Sequence, residues 1–212
     1  MLIIDYQKKF HSKIIQACVL ALKSGKVIAY PTDTVYGLAV DASNTEAVKR
    51  LYQIKGRSFN KPIHIILPSL GYAKTLVDWD KTASRLAKKF WPGPLTIVAK
   101  LKSNSKSLKL LAAKTNSLGL RMPDNAIALD LAKVLKRPVT TTSANISGSG
   151  DCYTADEIRR QFKDKRLKPD IIINAGRLPK RQPSTVIKIV AGKVEMLRHG
   201  PISGMKIIKA AK

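Results

Sequence analysis

The sequence predicts a fold of the α/β or α+β class, in which helices and strands interleave around a mixed β-sheet. Apolar residues at helical spacing alternate with short β-prone runs through most of the 212 residues. Two segments have the Ser/Thr-x-x-Glu spacing of a capping box, which marks the start of a helix. Hydrophobic residues make up 44% of the chain, which is enough to bury a sizeable core. We therefore expect one domain of good size, or at most two small ones.

The first predicted helix spans about 12–24, where Ile14, Cys18 and Leu22 share one apolar stripe and Gly25 stops the helix. A short buried strand is expected at 27–30, before Pro31. The further elements, in chain order, are a helix opened by a capping box at Ser43 and Glu46 and reaching about Lys55, a strand at 63–67, a helix at 82–90, a strand at 95–101, a helix at 126–135 capped by Asp124, a strand at 138–142, a helix opened by a capping box at Thr154 and Glu157, and strands at 170–173, 184–190 and 193–198.

The chain is strongly basic, with 39 Lys and Arg against 14 Asp and Glu and a formal net charge of +25. Residues 81–123 hold ten basic residues and no acidic one, and residues 159–193 hold eleven basic and two acidic residues. A solvated basic face is the plainest interpretation. The functional interpretation is that these cations bind a polyanionic partner. RNA is the first candidate, because clustered Lys and Arg neutralise phosphates and release counterions.

Several protein classes are excluded by patterns that the sequence lacks. No apolar run approaches 18 residues, so no segment is expected to span a membrane. The N-terminus has no signal-peptide pattern, and Cys18 and Cys152 form neither a disulfide framework nor a CxxC pair, so we expect a cytoplasmic protein. There is no P-loop, no histidine spacing for zinc and no GxSxG elbow, so neither a covalent hydrolase nor a zinc enzyme is expected.

Three polar clusters lie where predicted strands or helices end. Residues 30–38 place two threonine hydroxyls, an aromatic ring and a glycine in a turn, which suits a small polar ligand. Lys55, Arg57 and Lys61 suit a triphosphate, because an Arg guanidinium can donate to two phosphate oxygens at once while a Lys ammonium acts as a compact charge. Residues 140–148 are rich in hydroxyls that suit phosphate, ribose or magnesium. Each cluster alone also fits an ordinary turn, or cations that complement a helix dipole.

Together these segments resemble the YrdC/TsaC family of threonylcarbamoyl-AMP synthases over about residues 12–200. The family's KxR and SxN motifs match Lys55-Gly56-Arg57 and Ser143-Ala144-Asn145. Five further landmarks follow in the family's order, and they are Thr32 to Leu38, Trp91 to Thr96, Gly119 to Pro123, Pro183 to Val186 and Leu197 to Gly200. The resemblance rests on the whole ordered set, because any one of these motifs alone is weak.

The resemblance implies a twisted mixed β-sheet flanked by helices, with a concave basic face, in a relative of the single-domain type. The single domain would span residues 1–212, with its core at about 12–200. It also implies that L-threonine, bicarbonate and ATP, the last with Mg²⁺, are joined into threonylcarbamoyl-AMP and pyrophosphate. Downstream threonylcarbamoyl-transfer proteins then use the product to make N6-threonylcarbamoyladenosine at position 37 of tRNA. This chemistry needs alignment and charge neutralisation more than a protein nucleophile.

The resemblance further implies roles for twelve residues. The expected catalytic residues are Lys55, Arg57, Ser143 and Asn145. The expected ATP contacts are Lys55, Arg57, Asn60, Ser117, Ser143, Asn145 and Arg198. The expected threonine contacts are Thr34, Arg121, Thr141, Ser184 and His64. Arg121 is expected to pair with the threonine carboxylate, and no protein ligand is assigned to a metal.

The chain departs from the family pattern at three places. His64 lies two residues after Pro62, whereas some relatives have a histidine four residues after the corresponding proline. The sequence alone therefore does not decide on which face of the strand His64 lies. Ser58 follows Arg57 where many relatives have Pro, and Gly150-Asp151-Cys152 stands in place of Ser-Pro-Thr. These substitutions leave the loop after Arg57 and one nucleotide contact undetermined.

Two other functions are weighed against the synthase. A non-catalytic protein that binds double-stranded RNA or tRNA, or that matures ribosomes, would explain the basic runs but not the paired KxR and SxN motifs. The related carbamoyl-adenylate domain of hydrogenase maturation normally occurs in much longer chains with acylphosphatase and zinc-finger modules, which this sequence does not contain.

Overall fold

The structure is a computed structural model that describes residues 1–211. Within these residues there are ten strands: β1 (Leu2–Asp5), β2 (Ile28–Tyr30), β3 (Gly37–Ala39), β4 (His64–Ile66), β5 (Leu95–Lys100), β6 (Ser117–Arg121), β7 (Val139–Ser143), β8 (Ile171–Asn174), β9 (Thr185–Val190) and β10 (Lys193–Arg198). They form one sheet in the order β1-β8-β2-β3-β7-β4-β6-β5-β9-β10. Because β4 and β6 run parallel while β4 and β7 run antiparallel, the sheet is mixed, as predicted.

Eight α-helices lie within the described residues: α1 (His11–Lys23), α2 (Thr45–Lys55), α3 (Leu70–Leu76), α4 (Lys81–Phe90), α5 (Lys109–Ala112), α6 (Ala126–Leu135), α7 (Ala155–Phe162) and α8 (Gly204–Ala211). The helices flank the sheet on both faces, which confirms the predicted fold class. None of the described helices is long and apolar enough to cross a membrane.

Residues of β2 illustrate how one strand supports two cores. Ala29 faces a core that helices α2, α5 and α7 help to form, whereas Ile28 and Tyr30 face a core under α1 and α6. Successive side chains of a strand point to opposite faces, so a fully apolar strand is buried on both sides. Helices α4 and α8 form a third core against β5 and β9, around Ile97 and Ile187.

One face of the sheet is only half covered. Ile66 on β4 lies in the core under α1 and α6. In the sheet, Ile66 is paired with Arg121 on β6, and Arg121 is paired with Thr96 on β5. Partners on neighbouring strands point to the same face. Arg121 and Thr96 line a cavity instead of a core, so the cover that α1 and α6 provide ends between β4 and β6. The open half of this face is where the polar motifs meet.

Two helix caps differ from the prediction by one residue. Asn44, not Ser43, caps α2 by accepting from the amide of Ala47, because the Ser43 hydroxyl donates to Asp41 instead. Asn125, not Asp124, caps α6. At α7 the predicted capping box is confirmed, since Thr154 accepts from the Glu157 amide and the Glu157 carboxylate accepts from the Thr154 amide.

Candidate active site

The open half of the sheet forms the floor of a cavity of about 270 Å³. Loops after β2 and α2 and the loop before β9 form its walls. The lining residues are Thr32, Thr34, Val35, Gly37, Arg57, Pro62, Ile63, His64, Thr96, Arg121, Thr141, Thr142, Ser143, Asp151, Pro183, Ser184 and Arg198. The lining combines three guanidinium groups with six hydroxyls outside the Ser143 turn, and it draws on all three polar clusters identified in the sequence.

Arg121, at the end of β6, forms a buried ion pair at one end of the cavity. Its guanidinium donates to Asp33, and the two side chains are 7% and 5% exposed. The Thr34 hydroxyl lies 3.4 Å from two guanidinium nitrogens. The Arg121 Nε and the Asp33 Oδ2 have no hydrogen-bond partner among the described residues, although both are buried. Buried polar atoms without partners are rare, so this pair offers a donor and an acceptor to a ligand.

Arg198, at the end of β10, is held by the segment before β9. Its guanidinium donates to the carbonyl and the hydroxyl of Ser184, each at 3.0 Å, and the Ser184 hydroxyl lies 2.9 Å from that of Thr96. Ser184 and Thr96 are 2% and 1% exposed. A β-carbon at Gly200 would lie 2.4 Å from the Thr185 amide, so the chain after Arg198 needs glycine to pass this segment.

Arg57 lies in the loop between α2 and β4. Gly56, with φ of 56°, ends α2 in the left-handed conformation that glycine tolerates, and the chain then turns toward the cavity. The Arg57 guanidinium donates to the Pro62 carbonyl at 2.9 Å, which closes the loop on itself. Burial lowers the pKa of Arg57. The loop therefore presents a cation in a partly dehydrated position.

His64 begins β4 and faces the cavity, and Gly119 on β6 makes room for it. A β-carbon at Gly119 would lie 2.3 Å from Cδ2 of the imidazole. Burial, together with Arg198, Arg57 and Arg121, lowers the pKa of His64 to about 4. The imidazole is therefore neutral near pH 7, and one ring nitrogen donates while the other accepts.

Lys55, at the end of α2, lies behind the cavity wall and is 1% exposed. Its ammonium donates to the carbonyls of Ser143 and Asn145 at 2.5 and 2.7 Å and to Oδ1 of Asn145 at 3.0 Å. The Ser143 hydroxyl donates to the same Oδ1 at 2.6 Å. The KxR and SxN motifs therefore meet in one hydrogen-bonded unit. Burial lowers the pKa of Lys55 to about 7. The three acceptor oxygens oppose this shift, because only the charged ammonium, and not the neutral amine, has three N–H groups to donate to them.

The cavity has an excess of positive charge. Arg57, Arg121 and Arg198 line it, whereas Asp151 is its one lining carboxylate among the described residues, and Asp33 is paired with Arg121. The pKa of Arg198 is lowered by burial and by the neighbouring Arg121 charge. Cations that repel one another in a cleft favour an anionic ligand, because the anion relieves the repulsion.

The structure brings eight of the twelve predicted site residues to the cavity. These are Arg57, Ser143, Arg198, Thr34, Arg121, Thr141, Ser184 and His64. The other four lie elsewhere. Lys55 and Asn145 are buried beneath the Ser143 turn, Asn60 is exposed on the loop after α2, and Ser117 opens the far end of β6 and lines a separate cavity beside Lys100. The roles assigned to all twelve stay predictions.

Three residues of the site were not singled out from the sequence. Asp33 pairs with Arg121, Thr96 supports Ser184, and Asp151 lines the cavity. The first two stand inside recognised motifs, so the motifs were the available signal, but spacing along the chain does not show which polar side chain turns inward.

Comparisons with known proteins identify the family that the chain resembles. The Sua5/YciO/YrdC family, described as telomere recombination, matches residues 20–200. A relative from Methanocaldococcus jannaschii is 35% identical over 207 residues, which are 98% of this chain and 95% of the relative. The threonylcarbamoyl-AMP synthase of Pyrococcus abyssi is 33% identical over 94% of this chain, which spans only 57% of that relative's length.

A solved structure gives the same picture at the level of the fold. The P. abyssi Sua5 structure in complex with L-threonine aligns with a TM-score of 0.90 and 31% identity, over 99% of this chain and 61% of the other. Sequence and fold thus agree over nearly the whole chain, and the chain belongs to the Sua5/YciO/YrdC family.

Proposed function

We propose that this protein is a threonylcarbamoyl-AMP synthase, which forms threonylcarbamoyl-AMP and pyrophosphate from L-threonine, bicarbonate and ATP. The observation that carries the proposal is the convergence of Arg57, Arg121 and Arg198 with a floor of hydroxyls on the open half of the sheet. One end of the cavity suits an amino acid and the rest suits an anion. Relatives of the same family that bear this activity in their names support the proposal.

At the Arg121 end, the residues suit the zwitterion of threonine. The unpartnered Arg121 Nε would donate to the ligand carboxylate, and the unpartnered Asp33 Oδ2 would accept from its amine or hydroxyl. Thr34, Thr141 and Ser184 surround this end with hydroxyls. His64, neutral at pH 7, adds a hydrogen-bonding group without adding a charge.

The remaining cations suit the ATP phosphates. Arg57 and Arg198 would neutralise charge on the triphosphate, and Ser143 would donate to a phosphate oxygen from the turn that Lys55 supports. The threonine amine attacks the carbon of bicarbonate, and a C–O bond breaks with loss of water to give a carbamate. An oxygen of this carbamate then attacks the α-phosphorus, and pyrophosphate leaves with the electron pair of the broken P–O bond. The residues contribute alignment and charge neutralisation to this step.

Magnesium is part of the proposal as the companion of ATP. No group of three or more His, Cys, Asp or Glu side chains among residues 1–211 could hold a metal ion. Asp151 and the Ser143 hydroxyl are oxygen donors in the cavity, and oxygen is the ligand that Mg²⁺ prefers, so these residues fit an ion that the phosphates also bind. The ion would neutralise charge on the leaving pyrophosphate.

The product would serve tRNA modification in the cytoplasm, through downstream proteins that transfer the threonylcarbamoyl group. A non-catalytic RNA-binding protein is the alternative, and it does not explain why Arg57, Arg121 and Arg198 converge with hydroxyls in one cavity. The expected concave basic face would be this cavity with its rim.

The test is to incubate the protein with ATP, Mg²⁺ and bicarbonate, with or without threonine, and to follow pyrophosphate and the adenylate by mass spectrometry. We expect an adenylate that needs both threonine and bicarbonate and that falls at least 100-fold in Arg57→Ala. Arg159→Ala, on the exposed side of α7, is the matched control and should keep full activity. Absence of the adenylate together with tight RNA binding would replace the synthase by the binding function.

A further inference from the structure

Helices α4 and α8 carry six exposed cations, which the proposed reaction does not use. They are Lys81, Arg85, Lys88 and Lys89 on α4 and Lys206 and Lys209 on α8, and we name this set the α4–α8 basic surface. The two helices pack side by side over the core of Ile97, Ile187 and Ile207. The outward sides of both helices therefore belong to one surface.

Acidic side chains do not compensate this charge. Neither residues 81–123 nor residues 196–211 contain an Asp or a Glu. None of the six cations forms an ion pair with a described carboxylate within 4.0 Å, and Arg85 donates instead to the carbonyl of Ala211 at 2.5 Å. Asp80, just before α4, is engaged in capping that helix. Among the described residues no carboxylate pairs with this dense positive charge, which favours binding of an external anion.

The α4–α8 basic surface lies on the face of the sheet opposite to the cavity. Ile97 packs under α4, whereas its neighbour Thr96 lines the cavity, and adjacent side chains of a strand point to opposite faces. Likewise, Ile187 and Ile189 pack under these helices, whereas Lys188 between them points to the other face. The six cations therefore cannot reach a ligand in the cavity.

The arrangement on α4 is a row and not a pocket. Lys81, Arg85 and Lys88 follow one another at spacings of four and three residues, so they share one side of the helix over a length of about 10 Å. A row of exposed cations suits a polymer with regularly placed charges, because each contact is independent of the others.

The exposed apolar residues on this surface do not favour a membrane. Met205 and Ile208 are exposed on α8, but the apolar Ile207 is used in the core, and the exposed side of α4 is cationic. A helix that lies in a membrane interface buries a continuous apolar face in the lipid, which neither helix has available. Phosphates of a nucleic acid fit the pattern better.

We infer that the α4–α8 basic surface binds the phosphate backbone of RNA on the side of the molecule opposite to the active site. The inference rests on the proposed function for the identity of the RNA, which would be a tRNA substrate of the later transfer step. Part of the net charge of +25 would then lie on a defined surface and bind RNA. The contacts would be independent of base sequence, because a row of exposed cations meets phosphates and not base edges.

The test compares two variants with the same loss of charge. Lys81→Gln/Lys88→Gln/Lys89→Gln removes three cations of the surface, and Lys8→Gln/Lys13→Gln/Lys23→Gln removes three exposed cations on and before α1. Affinity for unmodified tRNA is measured by fluorescence anisotropy over a series of salt concentrations. We expect the α4 variant to bind at least tenfold more weakly at 0.1 M salt, with a slope of log K against log salt that is smaller by about 2 to 3.

Equal weakening in both variants would overturn the inference, because it would show a dependence on net charge alone. Loss of binding to anionic lipid vesicles with unchanged tRNA binding would also overturn it and assign the surface to a membrane. Adenylate formation without tRNA is followed in parallel and should be unchanged in both variants. A protein that makes no adenylate but loses tRNA binding only in the α4 variant would contradict the proposed function and retain the inference.

Discussion

At the scale of single residues, Lys55 joins the two motifs that define the family. Its ammonium is buried and donates to three oxygens of the Ser143 to Asn145 turn, so no N–H remains for a phosphate. The resemblance to the family predicts an ATP contact at this position. The geometry favours a different task, which is to position Ser143 at the cavity wall.

A Lys55→Met variant separates these two roles. Loss of the ammonium leaves buried oxygens without a donor, so we expect the free energy of unfolding to fall by about 2 to 4 kcal/mol, measured by urea denaturation. Arg57→Met is the control, because its half-buried guanidinium contacts only two carbonyls of its own loop, and it should lose about 1 kcal/mol or less. If Lys55→Met kept the full free energy of unfolding and only bound ATP more weakly, Lys55 would instead have the role of a phosphate contact.

His64 makes the stability of the fold depend on pH. Its pKa is lowered from 6.5 to about 4 in the fold, so between these values the unfolded chain binds a proton that the folded chain does not. The contribution of the neutral His64 side chain to the free energy of unfolding is therefore fully present above pH 6.5 and is lost as the pH falls toward 4. We expect the difference in unfolding free energy between the wild type and His64→Gln to shrink by about 3 kcal/mol from pH 7 to pH 4. Parallel pH curves for the two proteins would contradict this origin.

At the scale of elements, helix α2 carries the KxR motif and depends on its cap. Asn44 accepts from the Ala47 amide at 3.0 Å, so Asn44→Ala should lower the unfolding free energy by about 1 kcal/mol. Thr45→Ala is the control, because Thr45 is exposed in the first turn and should change the stability by less than half as much. A larger loss in the control than in Asn44→Ala, in urea denaturation, would place the cap elsewhere.

Elements with a strong local pattern could be predicted from the sequence, and those that depend on neighbours could not. Helices α1, α4 and α6 have clear apolar stripes, and each begins or ends within two residues of its predicted bounds. Strand β6 was not predicted, because Ser117 to Arg121 contains a glycine and little β propensity. Its extended form depends on pairing with β4 and β5 on both sides.

The same limit applies to the site. Residue types and motif order were enough to bring Arg57, Arg121 and Arg198 together as candidates. They did not show that Lys55 points behind the cavity or that Ser117 stands four residues, and the length of a strand, away from Arg121. Whether a side chain points in or out depends on strand register, and register is a property of the assembled sheet.

At the scale of the whole molecule, the charge of +25 opposes the compact state. Added salt screens the repulsion between the exposed cations, so we expect the Tm to rise by several degrees between 0.05 and 0.5 M NaCl. Differential scanning fluorimetry gives the measurement, and sucrose at matched osmolality is the control for effects other than screening. A Tm that falls with NaCl would mean that the ion pairs of the fold contribute more than the repulsion.

The half-covered face of the sheet has a consequence for how the protein loses activity. The floor of the cavity consists of β4, β6 and β7, which lie in the middle of the ten-stranded sheet. A site carried on a peripheral loop can melt by local opening while the rest of the fold persists. Here His64, Arg121 and Thr141 lie on strands whose backbone hydrogen bonds belong to this central ladder, whereas Arg57 and Ser184 lie on loops at the rim of the cavity. Amides under the cavity should therefore be among the slowest to exchange with solvent, and the floor of the cavity should persist until the sheet itself unfolds, even when the loops that carry Arg57 and Ser184 open first.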